Sequence, residues 1–259
     1  MRLANIDFGQ LYREHYAAAA RKPKPAAVWD SRAAELGSRM DSSNYADEFI
    51  RRMNLDGAQS LLDVGCGPGT ICLPLASQLQ RVIGLDFSAG MLDALRDRAA
   101  QLGLAQVETL HLAWEDDWST VPVCDIVVAS RSSTVADMEA ALHKLNDKAR
   151  QRVYLTHLVG GHFLDSAVLQ AIGRDLPSLP DYLYILNILH QMGIHPRLDY
   201  IEQPGRLAGT VDFDDCARRV AWSLGELNAD ELNGLRSWYE RCGAKPAPMR
   251  WAFISWDKD

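Results

Sequence analysis

Residues 61–70 read LLDVGCGPGT: an apolar run closed by an acidic residue, three glycines at alternate positions, then a helical pattern beginning near Ile71. Glycine is required where the chain takes positive φ or where a ligand lies against backbone, so three of them between a strand and a helix leave the main chain bare. One or two are accounted for by a tight turn; the set of Gly65, Gly67 and Gly69 points to a small ligand docked on the loop.

The surroundings of this loop fix the fold class. From Ser60 onward the apolar runs SLLDVG, RVIGLD, VETLHLA, CDIVVAS and RVYLTHL alternate with segments of helical period, the pattern of parallel strands joined by crossover helices and covered on both faces. Ile71, Leu75 and Leu79, then Met91, Leu92, Leu95, Ala99 and Leu102, then Met138, Ala141, Leu142 and Leu145 are the inward stripes of those helices. Ser88 is placed to cap the second and Gly103 to stop it. Residues 8–20 and 26–53 are expected to be helical, separated by Pro23 and Pro25. A helix over 181–192 precedes a strand in HPRLDYIEQ. Two further helices, started by Asp212 and by Asn228 with Glu231, lie before a last strand in MRWAFISW. No internal repeat interrupts the pattern.

Two ligands suit such a loop. Dinucleotide-binding folds carry GxGxxG, but the position of their third glycine is Thr70 here, and Asp63 faces a pyrophosphate unfavourably. S-adenosylmethionine (SAM) carries a sulfonium and an α-ammonium that an acidic strand end favours, and its carboxylate can use free N–H groups at a helix start. Asp86 ends the next strand, where a carboxylate can accept bonds from both ribose hydroxyls; its plain alternative is helix capping. Phe87 and Met91 are placed to line the adenine, with Met91 equally suited to the helix core.

LLDVGCGPGT, followed by LDFSAGML and the strand series, closely resembles the seven-stranded class I SAM-dependent methyltransferases over residues 60–159. The resemblance implies a doubly wound α/β fold with a mostly parallel seven-stranded sheet. Gly65, Cys66 and Gly67 would line the methionyl part of SAM, Asp63 would support the loop, and Asp86 would hold the ribose. HPRLDYIEQ and MRWAFISW would supply the final strand pair, split by a helical insertion over about 211–243. The chain departs from the family after the third strand, where LAWEDDW replaces the usual acidic turn. Glu115 or Asp116 takes the acidic role there and Trp114 stacks on the base, or Trp114 is core and the acids are solvated.

Methyl transfer is an in-line displacement that needs alignment and exclusion of water more than an obligatory catalytic residue. Ser130 and Arg131 end the fourth strand and His157 ends the fifth; Arg131 suits an acidic acceptor and His157 a general base, the alternative being that each satisfies local polar groups. Residues 1–55 form an expected helical cap on a SAM-binding domain over 56–259. Tyr12, His15, Tyr16, Trp29 and Tyr45 make this cap aromatic enough to serve as a lid over the cofactor and part of the acceptor pocket. Tyr184, His190 and Trp222 are further candidates for that pocket.

Charge narrows the acceptor. Asp plus Glu is 34 against 27 for Lys plus Arg, a net charge of −7 that repels a phosphate backbone, so nucleic acid is not the expected substrate. The one basic run, RKPKP at residues 21–25, is expected to be a solvated connector. Five separated cysteines form no metal or redox pair, no membrane span is expected and the start lacks a signal peptide's apolar core, so the expectation is a cytoplasmic protein with reduced thiols and no metal. The reading is an enzyme methylating a small molecule, with a protein methyltransferase and a noncatalytic SAM-binding protein as alternatives.

Overall fold

The computed structural model describes residues 5–19, 23–38, 44–243 and 247–258. Four helices come first: α1 (Phe8–Ala18), α2 (Ala26–Asp30), α3 (Ala33–Ser38) and α4 (Asn44–Ile50). Then follow β1 (Ser60–Val64), α5 (Cys72–Ala76), β2 (Arg81–Asp86), α6 (Ala89–Gln101), β3 (Val107–His111), β4 (Cys124–Ala129), α7 (Met138–Lys148) and β5 (Ala149–Leu158). The chain ends with α8 (Ser166–Ala171), α9 (Tyr182–Gln191), β6 (Arg197–Gln203), α10 (Phe213–Leu224), α11 (Ala229–Cys242) and β7 (Met249–Asp257).

The seven strands are ordered β3-β2-β1-β4-β5-β7-β6. Strands β1 to β5 pair in parallel, with Leu62 opposite both Ile83 and Val127, and β7 is antiparallel to β5 and β6. Side chains alternate across the pleat, so consecutive apolar residues enter different cores. Leu62, Ile83 and Val127 join Tyr12, α7 and α9 on one face; Leu61, Val82 and Ile126 join α4, α5 and α6 on the other. The expected doubly wound sheet with a helical insertion in its last strand pair is the observed fold.

Strand order reverses between β1 and β4, and ligands of open α/β sheets bind at such a switch, outside the carboxyl ends of the strands. Because β6 runs in the same sense as β5, the chain leaves it at this same edge. Helices α10 and α11 are therefore carried there, where Val168, Cys216, Val220, Leu235 and Trp238 build a separate small core with α8.

Local chemistry sets the helix starts. Ser88, Asp137, Asp181 and Asp212 each accept a backbone N–H from the first turn, and Asn228 with Glu231 forms a reciprocal capping box. The expected continuous helix over 26–53 is broken between α2 and α3, at Ser31 and Arg32, and its residues 39–43 lie outside the described residues. Ser31 Oγ donates back to Val28 O at 3.0 Å, a side-chain bond that competes with helix continuation between α2 and α3. α5 stops at Ala76, leaving Leu79 outside it, and α8 lies in a stretch where no helix was expected.

Candidate functional site

The glycine loop leaves β1 with all three glycines at positive φ: 66° at Gly65, 54° at Gly67 and 95° at Gly69. Two are bare because protein packs on them. A Cβ on Gly65 would stand 2.3 Å from Ser132 Cβ, and one on Gly69 would stand 2.6 Å from Leu73 and Leu95 carbons. Gly67 differs. A Cβ there would meet nothing nearer than Met91 Sδ at 4.0 Å, so the loop presents open backbone at this residue. Gly65 N and Cys66 N both donate to Leu85 O, which ties the loop to the end of β2.

Asp63 lies beneath the loop, 1% exposed, and its Oδ2 has no hydrogen-bond partner. Burial above all, with a smaller push from Asp86, raises its pKa to about 7 against the Cys72 thiol and amide, which favour the anion. Cys66 and Cys72 beside it are buried and their thiols are pushed well up by the same desolvation. An orphaned carboxylate oxygen and an uncovered glycine are what a ligand with a cationic ammonium would complete, so the residues present fit SAM, which supplies a methyl group activated on a sulfonium.

Asp86 ends β2 and is buried, its Oδ2 accepting Gly67 N at 2.8 Å and its Oδ1 accepting Ser88 N at 2.9 Å. Each oxygen keeps a second lone pair for a ligand hydroxyl. Phe87 beside it is 39% exposed, while Met91 is buried in the α6 stripe with its sulfur toward Gly67.

A residue that sequence reasoning missed joins here. Asp30, at the end of α2, accepts Ser88 Oγ and Gly90 N with one oxygen, Oδ1. Bonds from Ser88 first, then Gly90, hold its pKa down. Gly90 allows the approach, since a Cβ would stand 2.9 Å from Asp30 Cα. No sequence pattern links residues so far apart.

After β3, Trp114 is half-buried, stacked on Trp118 with centroids 5.4 Å apart, and its Nε1 donates to Ser132 O at 3.0 Å. Asp116 spends Oδ2 on Ala113 N at 2.7 Å; Glu115 is exposed and has no such bond among the described residues. Lys144 reaches from α7 to the carbonyls of Trp114 and Asp116.

On the other side of the switch, Tyr45 of α4 is buried with its hydroxyl 3.0 Å from Ser130 Oγ and 2.7 Å from Thr156 Oγ1. Arg131 has φ 55°, the one positive φ outside glycine among the described residues. Its N–H donates to Thr156 Oγ1 at 2.9 Å and its guanidinium carbon lies 4.2 Å over the centre of the Tyr45 ring. His157 points into protein: Nδ1 is 2.9 Å from Ser133 Oγ and Nε2 3.0 Å from Pro180 O. The Pro180 carbonyl only accepts, so the proton sits on Nε2, and burial lowers the ring's pKa.

The cap divides into two kinds of residue. Tyr12 is fully buried with its hydroxyl donating to Val135 O, and it packs with Tyr16 and Tyr184. His15 bonds Tyr184 and Ser178 O. Trp29 instead meets Trp222 of α10 edge-on at 5.9 Å, and Lys24 and Arg32 lie over the Trp222 ring at 4.0 and 4.3 Å. Lys24 also donates to Trp222 O, so this part of the basic run grips the insertion; Arg21 and Lys22 lie outside the described residues. His190 stands apart, at the outer end of α9 beside His195.

Known proteins place this geometry. Residues 61–151 match the model of a family described as a methyltransferase domain. An uncharacterized protein of Haemophilus influenzae is 38% identical over all of this chain and 99% of its own length. A demethylmenaquinone methyltransferase of Oceanobacillus iheyensis is 35% identical over 71 residues, 26% of this chain and 30% of that enzyme. The solved coclaurine N-methyltransferase, bound to N-methylheliamine and S-adenosylhomocysteine, shares the fold with a TM-score of 0.54 at 14% identity, covering 99% of this chain and 96% of that one. Together with the strand order and the glycine loop at its switch, these similarities make the chain a member of the class I SAM-dependent methyltransferases, in a family it shares end to end with the Haemophilus protein.

Proposed function

We propose that this enzyme methylates a small molecule held beside the cofactor in a recess between Gly67, Tyr45 and Arg131. The observation that carries this reading is the covering of the carboxyl edge from two sides: α2 is latched to α6 through Asp30 and clasped to α10 through Trp222. A carboxyl edge covered in this way suits a compact acceptor better than a polymer, and the net charge of −7 disfavours nucleic acid.

In this reading Gly65, Cys66 and Gly67 line the methionyl part of SAM and Asp63 faces its ammonium. Asp86 takes the ribose hydroxyls, and Phe87, Met91 and Trp114 border the adenine. Asp116 is committed to its own turn, which leaves Glu115 as the free acid for the adenine amino group. Residues 1–55 act as cap and 56–259 as the transfer domain. The four buried cysteines and the exposed Cys242 are all free thiols, in keeping with work in a reducing cytoplasm. No helix among the described residues is long and apolar enough to cross a membrane.

Purified enzyme incubated with methyl-labelled SAM, and separately with the small-molecule and protein fractions of a cell extract, tests the proposal. Label in the small-molecule fraction is expected. Label confined to protein favours the protein methyltransferase reading instead.

A further inference from the structure

We propose that Arg131 selects the acceptor and that the acceptor presents a carboxylate to it, an inference that rests on the small-molecule transfer reading above. Arg131 stands at the carboxyl end of β4, next to the strand-order reversal, with neighbours on both adjoining strands: its own N–H bonds Thr156 of β5, and Ser132 Oγ bonds Val64 O of β1. Its left-handed backbone, strained for a non-glycine residue, is retained against that strain.

The guanidinium has no protein group to bond, a condition it shares with the exposed Arg236 over Phe213. Among the described residues it has no hydrogen-bond acceptor and no carboxylate, only the face of Tyr45, whereas Arg52, Arg150 and Arg174 each hold a carboxylate. Arg131 is exposed, so its guanidinium is open to a ligand, while the protein packed around it lowers its pKa by desolvation. A second unspent donor lies close by. Trp251 packs edge-on against the same Tyr45 ring, and its indole N–H is buried without a partner. A planar fork of N–H donors matches a carboxylate in both shape and charge.

Among the described residues, the acids with an unspent oxygen, Asp63 and Glu115, are assigned to the cofactor in this reading, and the other groups near Arg131 that could take a proton are spent. Both ring nitrogens of His157 are bonded to protein, the Tyr45 hydroxyl is held by Ser130 and Thr156 with burial raising its pKa, and the Cys66 and Cys72 thiols are pushed up. An alcohol would have to lose a proton to react, and an amine would arrive as an ammonium repelled by Arg131. A carboxylate is already ionised near neutrality. One oxygen held by Arg131 leaves the other to attack. Its lone pair forms the O–CH₃ bond as the methyl C–S bond breaks, and the bonding pair stays on sulfur. A methyl ester and a neutral thioether result, with no proton transferred.

The test compares wild type with Arg131→Gln and Arg131→Lys. With S-adenosylhomocysteine bound, citrate serves as a carboxylate probe and trimethyl citrate as its neutral control, both followed by calorimetry. Citrate is expected to bind wild type, about tenfold more weakly to Arg131→Gln and between the two for Arg131→Lys, with the ester not binding. S-adenosylhomocysteine affinity is expected to stay within about twofold in both variants, which also reports that they fold. Label transferred to small molecules should be released as volatile methanol by mild alkali, as methyl esters require. Citrate binding that is absent in wild type or indifferent to Arg131→Gln overturns the proposal, and so does alkali-stable label. A large loss of S-adenosylhomocysteine affinity in Arg131→Gln assigns the guanidinium to the cofactor's own carboxylate and overturns it too. Wild type that binds no S-adenosylhomocysteine overturns the underlying transfer reading itself.

Discussion

Gly67 and Gly65 are two residues apart in one loop and should fail in different ways. At Gly67 an added Cβ meets only the cost of left-handed φ, about 1 kcal/mol, because no side chain fills the space it enters. Gly67→Ala is therefore expected to melt only a few degrees lower while losing most of its affinity for S-adenosylhomocysteine. Gly65→Ala drives a methyl into Ser132 and should lose the fold first; calorimetric scans beside ligand titrations separate the two. Asp63 gives a pH signature. Its folded pKa of about 7 lies above the usual 3.8, so between these values the folded chain holds more protons than the unfolded one, and stability falls as pH rises through that window. His157 acts oppositely, its lowered pKa costing stability as pH falls below 6.5. Asp63→Asn should thus gain more melting temperature over wild type at pH 7.5 than at pH 5; parallel profiles would refute the shifted carboxyl. The positions of the glycines and Asp63 in one strand–loop–helix unit, and of Asp86 at the end of the next strand, were legible because local spacing sets each of them. Asp30, Thr156 and Trp251 were not, since only tertiary packing brings them to Ser88, Arg131 and Tyr45.

At the level of elements, the central strands β1, β2, β4 and β5 were readable from their apolar runs because the sheet is buried there on both faces, and the caps because Ser, Asp and Asn act on the adjacent turn. Segments without a strong stripe were not: α2 buries no residue, so no periodicity marks where the 26–53 stretch breaks. One clamp between elements also escaped notice. Asp125, at the start of β4, accepts Gln59 N, Ser60 N and Ser60 Oγ with one oxygen and Arg150 with the other. Burial alone would raise its pKa, but these bonds outweigh it and bring the pKa down to about 2. The stabilisation is present above pH 3.8 and is lost as pH falls toward 2. Asp125→Asn should cost about 1–3 kcal/mol in urea unfolding at pH 7, the scale of bonds to a charged acceptor, with cofactor binding retained. A variant as stable as wild type would show that the clamp does not hold β1 to β4.

On the scale of the whole molecule, the cap is not one body with one job. Helix α1 is built into the core: Tyr12 has no exposed surface, and truncating such a buried aromatic typically costs about 3–5 kcal/mol. Deleting residues 1–24 should therefore lower stability generally rather than simply open the site. Helix α2 is held differently, by the Asp30 latch on Ser88 and Gly90 and by the clasp of Lys24, Trp29 and Arg32 around Trp222. Segments held by a few surface contacts open locally at much lower free energy than the global fold, which is what a gate over a cofactor requires. The latch ends on the α6 start, two residues from Asp86, so opening α2 uncovers the side of the site assigned to the ribose. Asp30→Ala, and separately Trp222→Ala, should then leave the melting temperature nearly unchanged. Each should speed release of S-adenosylhomocysteine, by about tenfold in stopped-flow displacement, since closure acts mainly on the off-rate. Release rates equal to wild type in both variants would reduce α2 to a surface covering.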